Sequence, residues 1–174
     1  MGIAQSLTAI VLGLAAPVVH ASPTSDASAL QAVSAACAGA DAPGNTEAMY
    51  CGVNVVRRAY HLPALHANAA LNRSAALKAQ AVRRCGFTHT PCGMAFRRTF
   101  QSARYHARSF GENLAWGQGG FGTPVSTLGM WLGSAGHRAN LLGRWRDVGI
   151  AELQGTMFGN GDVTLWVMQF GRRR

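Results

Sequence analysis

A chain of 174 residues, 48% of them hydrophobic, has the length of one domain and can bury its own core. Its formal net charge of +9 suits anionic surfaces, but the basic residues are neither interleaved with exposed aromatic residues nor part of a recognisable module, so nucleic-acid binding is not predicted. No apolar run reaches the roughly 20 residues that a membrane-spanning helix needs, so no transmembrane segment is predicted.

The N-terminal segment has the pattern of a signal peptide. An apolar run from Leu7 to Ala16 is followed by Val19-His20-Ala21, with small residues where signal peptidase requires them. The residues before the run include no Lys or Arg, which is atypical of such a leader. We assign residues 1–21 to a signal peptide and expect a secreted or periplasmic protein after cleavage near Ala21.

Residues 22–45 are small and polar. Because such a segment has little to pack, it is predicted to be a flexible linker, tethered near its end by Cys37. The folded domain is then predicted to span residues 46–174.

Export makes the four cysteines candidates for two disulfides. Four cysteines allow three pairings, of which we expect Cys37–Cys51 and Cys85–Cys92. The chain has no CxxC pair, so a thioredoxin-type site or a zinc ribbon has little support. The alternative, free buried thiols in a cytosolic protein, depends on the signal peptide being absent.

Three helices are predicted from apolar spacing and capping residues. Apolar residues at three- and four-residue steps indicate a helix over Glu47–Tyr60 and another from about Ala67 to Arg84, which Gly86 ends. Thr123-Pro124 is typical of an N-cap followed by proline in the first turn, and an apolar stripe follows it. The arginine pairs, among them Arg57-Arg58, are expected on the solvated surface.

Strands come late in the chain. Val148–Leu153 and Val163–Phe170 read as two strands joined through a turn at Asn160-Gly161, and glycines bracket a shorter extended stretch in SFGENLAWGQ. Helices first and strands late, without a βαβ rhythm, predict an α+β fold with helices packed on an antiparallel sheet.

Three polar groups lie in segments that glycines punctuate and aromatic residues surround: His89 in GFTHTPCG, Glu112 in FGENLAWG and His137 in WLGSAGHRANLL. Glu112 is the only acidic residue between Ala48 and Arg146. A carboxylate beside imidazoles raises their pKa and orients their tautomers, so Glu112 is predicted to hold His89 or His137 in place. A structural hydrogen-bond network would use the same groups, because a buried carboxylate without partners is costly.

Together these motifs resemble the CAP superfamily of cysteine-rich secretory proteins, antigen 5 and pathogenesis-related proteins, in particular its bacterial SCP-domain branch. The resemblance covers about residues 46–171 and rests on VNVVRRAYHLPAL, GFTHTPCG, GENLAWG, WLGSAGHRANLL, WRDVGIAE and WVMQFG. It implies a three-layer α-β-α sandwich with a central, mainly antiparallel sheet.

The resemblance also implies a shallow cavity lined by two histidines, here His89 and His137, and by the acid Glu112. The position of a second acid is taken by Ser134, which is a departure from the family pattern. His89, His137 and Glu112 would give only a three-ligand site for a weakly bound divalent metal such as zinc, and no cofactor is required. Asn113, Arg138 and Asn140 are expected to brace loops.

The resemblance to this superfamily leaves three functional hypotheses. The first is a monomeric binding module for an apolar, sterol, lipid or anionic cell-envelope ligand. Its candidate contact residues are Phe96, Phe100, Tyr105, Phe121 and Phe158.

The second hypothesis is a hydrolase in which Ser134, His137 and Glu112 act as nucleophile, base and orienting acid, or in which a metal activates water. No enzymatic activity follows from membership, and neither GxSxG nor HExxH occurs. The third hypothesis is a protein-interaction scaffold in which the His/Glu cluster is purely structural.

Overall fold

The computed structural model describes residues 4–6, 10–12 and 23–173, with side chains over residues 26–173. Along the described residues, helices and strands do not alternate regularly. The helices are α1 (Pro23–Ala36), α2 (Thr46–Ala59), α3 (Ala69–Cys85), α4 (Arg98–Ser102), α5 (Pro124–Leu132) and α6 (Ala135–Leu141).

The strands form a single mixed sheet in which antiparallel pairs dominate. The strands are β1 (Ala4–Ser6), β2 (Ile10–Leu12), β3 (His66–Ala67), β4 (Ser109–Gln118), β5 (Asp147–Met157) and β6 (Asn160–Arg172). Their order is β1-β4-β6-β5-β3, with β2 also paired to β4, and only the β3/β5 pair is parallel.

Helices cover both faces of this sheet. On one face, α1, α2, α5 and α6 enclose a core that includes Val53, Trp131 and Trp166. On the other face, α3 packs against Leu114 and Leu165, and α4 contributes to a smaller cluster. The predicted α-β-α sandwich is confirmed.

The predicted helices are present, with small shifts at their ends. Asn45 caps α2, and its side chain accepts a 2.9 Å hydrogen bond from the backbone N–H of Ala48. Gly86 follows α3 with φ 102°, a conformation that glycine adopts without steric cost. Thr123 caps α5 as expected, through the N–H of Ser126.

Helix α1 corrects the linker prediction. Residues 23–36 are helical, and Ala29 and Val33 are buried against the neighbouring helices. Gly52 of α2 has no side chain where Val33 approaches, and a Cβ there would lie 3.1 Å from Val33 Cγ1. Small residues therefore serve close helix packing here, and the expectation of an unpacked linker is wrong over this helix.

A second correction concerns Arg57, which was expected on the surface but is 1% exposed. Its guanidinium donates to the carbonyl oxygens of Pro63, Leu141 and Gly143, joining the end of α2 to the end of α6. Burial lowers the pKa of Arg57 to about 10, so the side chain stays charged at neutral pH.

Export remains a prediction. The cleavage position near Ala21 lies outside the described residues, and β1 and β2 fall within the predicted signal peptide. Among the helices of residues 23–173, none is long and apolar enough to cross a membrane.

Candidate functional site

Glu112 lies in the middle of β4 and is completely buried. Its Oε1 accepts from His89 Nδ1 at 2.9 Å and lies 3.4 Å from the ammonium of Lys78. Its Oε2 accepts from the amide of Gln169 at 2.7 Å. Because three donors share the two oxygens, the desolvated carboxylate is compensated by hydrogen bonds and by a counter-charge.

Lys78, which the sequence prediction missed, is the chain's only lysine and is completely buried on α3. Besides its ion pair with Glu112, it donates a 2.6 Å hydrogen bond to the backbone oxygen of His89. A signal was available, because Lys78 follows Leu71 and Ser74 and precedes Val82 at the spacing of the buried face of α3. A single lysine on that face, in a chain whose other basic residues are arginines, indicates a fixed partner.

Gln169 was also missed. It lies on β6 directly opposite Glu112 in the antiparallel register, so its side chain extends on the same face of the sheet. Its amide also donates to the hydroxyl of Thr99 on α4 at 3.3 Å. The sequence gives β6 as a strand, but the register that places Gln169 against Glu112 is a property of the assembled sheet.

His89 lies in the loop after α3 and is 7% exposed. The disulfide Cys85–Cys92 closes this loop, and Cys37–Cys51 joins the segment after α1 to α2, so both predicted disulfides are present. With its Nδ1 on Glu112 and its backbone oxygen on Lys78, His89 is held from two sides.

His137 lies on α6, across the sheet from the Glu112 network. It is completely buried, and its Nδ1 is 2.8 Å from the hydroxyl of Ser134. Burial, with a smaller contribution from the charge of His89, lowers the pKa of His137 from 6.5 to about 4. The imidazole is therefore neutral at pH 7, and it is near enough to His89 for the two rings to interact electrostatically.

The predicted convergence of three groups is met in part. Glu112 contacts His89, but its described partners do not include His137. The alternation of β4 explains this, because Glu112 points to the α3 face whereas the next residue, Asn113, points to the α6 face and donates to the backbone oxygen of His137 at 3.0 Å. Ser134 is brought to His137 and not to Glu112.

This arrangement does not fit the metal site that the resemblance allowed. Within residues 26–173, no group of three or more His, Cys, Asp or Glu side chains is placed to hold an ion. Both Glu112 oxygens already accept from nitrogen donors, one oxygen also lies 3.4 Å from the ammonium of Lys78, and Ser134 replaces the fourth ligand. We therefore derive no chemistry through a metal.

The residues expected to brace loops do so in the structure. Asn140 on α6 donates to the backbone oxygen of Glu112 at 3.1 Å and to the side-chain oxygen of Asn113 at 2.9 Å. Gly111 allows this approach, since a Cβ at that position would lie 2.8 Å from Asn140 Oδ1. Arg138 binds Asp26 of α1 through its guanidinium at 2.9 Å. These motif residues thus position the backbone and helices around the site.

A separate groove of about 350 Å³ lies between α3 and α4, and no sequence motif marks it. Leu77 on its wall is 47% exposed, an unusual exposure for a large apolar side chain in this fold. Its lining residues are Arg73, Ala76, Leu77, Gln80, Ser102 and Ala103.

Of the five aromatic residues proposed as ligand contacts, three are buried in the core and a fourth, Phe158, is partly buried against it. Phe96, Phe100 and Tyr105 are buried in the cluster beneath α4, and Phe158 packs on Trp116. Phe121 is 47% exposed and lies away from the groove residues.

The fold and this arrangement define an α-β-α domain that carries a buried carboxylate–imidazole network. The family model of the cysteine-rich secretory proteins, CAP, matches residues 52–170, which is more than half of the chain. The chain belongs to this family. No curated protein sequence matches it.

Solved structures with the same fold include proteins from three bacteria. An outer surface protein from Borrelia burgdorferi is 20% identical with a TM-score of 0.64, over 74% of this chain and 92% of that one. An extracellular SCP-domain protein from Bacillus anthracis is 22% identical with a TM-score of 0.60, over 72% of this chain and 39% of that one. A cysteine-rich secretory protein from Staphylococcus aureus is 21% identical with a TM-score of 0.53, over 72% and 37%.

The chain therefore spans about two fifths of the length of the Bacillus and Staphylococcus proteins. These neighbours are described as extracellular, secreted or surface proteins, and the two disulfides of this chain are of the kind that oxidising compartments permit. At this level of identity the likeness shows the fold alone.

Proposed function

We propose that this CAP domain is an exported binding module for an apolar, lipid or cell-envelope ligand. The observation that carries the proposal is the groove between α3 and α4, where the side chain of Leu77 lies 47% exposed on a wall of otherwise small or uncharged residues and one arginine. Large apolar side chains left open in a concave surface are typical of sites that bind an apolar ligand.

The charge distribution favours an anionic amphiphile. Arg73 lines the groove beside Leu77, and its guanidinium lies 3.5 Å from the backbone oxygen of Ala103 on the opposite wall. An acyl chain would cover Leu77 and Ala76, and a phosphate or carboxylate head group would lie near the cation of Arg73. The net charge of +9 adds a long-range attraction to anionic envelope surfaces.

In this proposal the Glu112 network is structural support. Lys78 and the groove-lining residues belong to the same helix, α3, with Lys78 facing the sheet and Leu77 facing outward. The ion pair with Glu112 fixes the rotation of α3 and therefore the exposure of Leu77. This assigns the His89–Glu112 cluster the role that the scaffold hypothesis gave it, without placing the function in protein contacts.

Native mass spectrometry of the protein purified from the extracytoplasmic fraction tests the proposal. The wild type is expected to retain a fatty acid or phosphatidylglycerol after co-incubation. Leu77→Asp should weaken binding about tenfold or more, because it removes the apolar contact and adds a repelling charge. Phe121→Asp is the matched control, since Phe121 is equally exposed outside the groove. No retention by wild type, or equal binding by Leu77→Asp, would refute the proposal.

The hydrolase hypothesis keeps one supporting observation, the 2.8 Å contact between Ser134 and the neutral imidazole of His137. A neutral imidazole can accept the hydroxyl proton, but Glu112 is engaged with His89 and does not serve as the third member. Labelling by a fluorophosphonate probe in wild type, with loss in Ser134→Ala, would support this second function. An equal signal in both proteins would exclude Ser134 as the nucleophile.

A further inference from the structure

The outer edge of β4, the edge that does not pair with β6, is covered by two short segments of the chain itself. Ala4–Ser6 pairs antiparallel with Ala115–Gly117, and Ile10–Leu12 pairs antiparallel with Phe110–Glu112. On its other edge β4 is bonded to β6 along all ten of its residues. An edge strand with free N–H and C=O groups is a template for a further strand.

Both covering segments fall within residues 1–21, the predicted signal peptide. When that peptide is cleaved, the outer edge of β4 loses its partners, and the backbone groups along Phe110–Gly117 must turn to water or to another strand. Export is thus expected to open an edge that the uncleaved chain closes.

We propose that in the exported protein this edge of β4 is a docking site for one extended peptide segment of an envelope or secreted partner protein. The segment adds antiparallel to β4, in the way that Ile10–Leu12 does in the uncleaved chain. The inference rests on the export included in the proposed function, but it concerns a different surface from the α3–α4 groove.

The site would lie between the two histidines. A partner residue paired with Glu112 would place its side chain on the face of the sheet that carries His89 and Lys78, since directly opposed residues share a face. Its neighbours along the strand, paired with Gly111 and Asn113, would point to the α6 face, where Ser134 and His137 lie. His89 is thus bound to the residue at one pairing position, and the backbone of His137 to the residue at the next.

The chemistry of the edge favours an uncharged segment. The Glu112 carboxylate is already neutralised by Lys78, so a charged residue docked opposite it would find no free counter-ion among the described contacts of Glu112. On the other face, the space beside Gly111 is filled by Asn140 and Trp145, since a Cβ at Gly111 would lie 2.8 Å from an atom of each. The two segments that occupy the edge, AQS and IVL, are uncharged, as this chemistry requires.

The test uses the exported protein as purified and the synthetic peptide AQSLTAIVL, which is residues 4–12. Intact mass first determines its N-terminus, and a purified protein that retains residues 4–12 would overturn the claim that export opens the edge. Amide hydrogen exchange is then measured with and without peptide. At about ten times its dissociation constant, the peptide should slow exchange about tenfold at alternate positions of 109–118 and leave 163–170, paired on both sides, unchanged.

The control is the same peptide with N-methyl groups on alternate residues, which keeps the side chains and removes strand hydrogen bonds. Protection by the methylated peptide, or no protection by either peptide, would overturn the inference. Concentration-dependent protection of 109–118 without peptide would also overturn it and would assign the edge to a second copy of this chain. Lipid binding without peptide binding would support the proposed function and overturn the docking site at β4. Peptide binding without lipid retention would support the docking site and overturn the proposed function.

Discussion

The two faces of β4 give their histidines opposite electrostatic environments. On the α3 face, His89 shares the carboxylate of Glu112 with Lys78 and Gln169 in a charged network. On the α6 face, His137 lies against the hydroxyl of Ser134, and burial keeps it neutral at pH 7. The comparison shows that one carboxylate in this domain serves the histidine on its own face, and that the strand separates it from the other.

The largest expected effect comes from breaking the charged face. Lys78→Met leaves Glu112 buried without its cation and should lower the free energy of unfolding by about 3–5 kcal/mol. Lys78→Met/Glu112→Gln removes both charges and should recover much of that loss. Urea unfolding of the two variants measures the difference. Equal stabilities of single and double variants would contradict the ion pair.

The disulfide beside His89 comes next. Cys85→Ser/Cys92→Ser should lower the free energy of unfolding by about 2 kcal/mol, since it releases a short loop, and should also change the ring 15N shifts of His89. The control is Cys37→Ser/Cys51→Ser, whose cysteines are 14 residues apart against 7 for the first pair, and which is expected to destabilise somewhat more while leaving His89 unchanged. Equal responses of His89 in both variants would mean that the loop closure does not position it.

His137, on the α6 face, is expected to make the stability of the protein depend on pH. Unfolded His137 takes up a proton near pH 6.5, whereas the folded protein resists protonation until about pH 4. The unfolded state therefore binds more protons in this window, and the free energy of unfolding falls as pH falls, by up to about 1.4 kcal/mol per pH unit from this group. His137→Phe should flatten the curve between pH 6.5 and 4. An unchanged slope would show that His137 is not held neutral.

The smallest expected effect concerns α1, which packs on the same face of the sheet as α6. Asp26→Asn removes one charge from the partly buried pair with Arg138 and should cost about 1 kcal/mol. Thermal unfolding measures the loss. The control is Asp41→Asn, which changes an exposed residue shortly after the end of α1. A loss of the same size in the control would mean that the pair does not hold α1 in place.

The sequence predicted the main helices and late strands well, because their apolar spacing and caps are local. It missed α1, whose buried positions Ala29 and Val33 lie four residues apart but are too small to raise the apolar signal. Close packing on Gly52 gives these residues their burial, and that contact exists only once α1 and α2 are assembled.

The candidate site was predicted in its residue types and only partly in its geometry. His89 and Glu112 meet as expected, and the disulfide that closes the His89 loop is one of the two pairings expected among the three possible. Lys78 and Gln169 were missed because one is brought in by the rotation of a helix and the other by strand register. A local sequence motif predicts neither the rotation of a helix nor the register of two strands.

Titration of the two imidazoles by NMR tests most directly the claim that Glu112 serves His89 and not His137. The comparison is between wild type and Lys78→Met/Glu112→Gln. The double variant removes both charges of the ion pair together, so no unpaired charge is left buried. We predict that the double variant changes the ring shifts of His89 and leaves the pKa of His137 near 4. A large change at His137 with none at His89 would contradict the account.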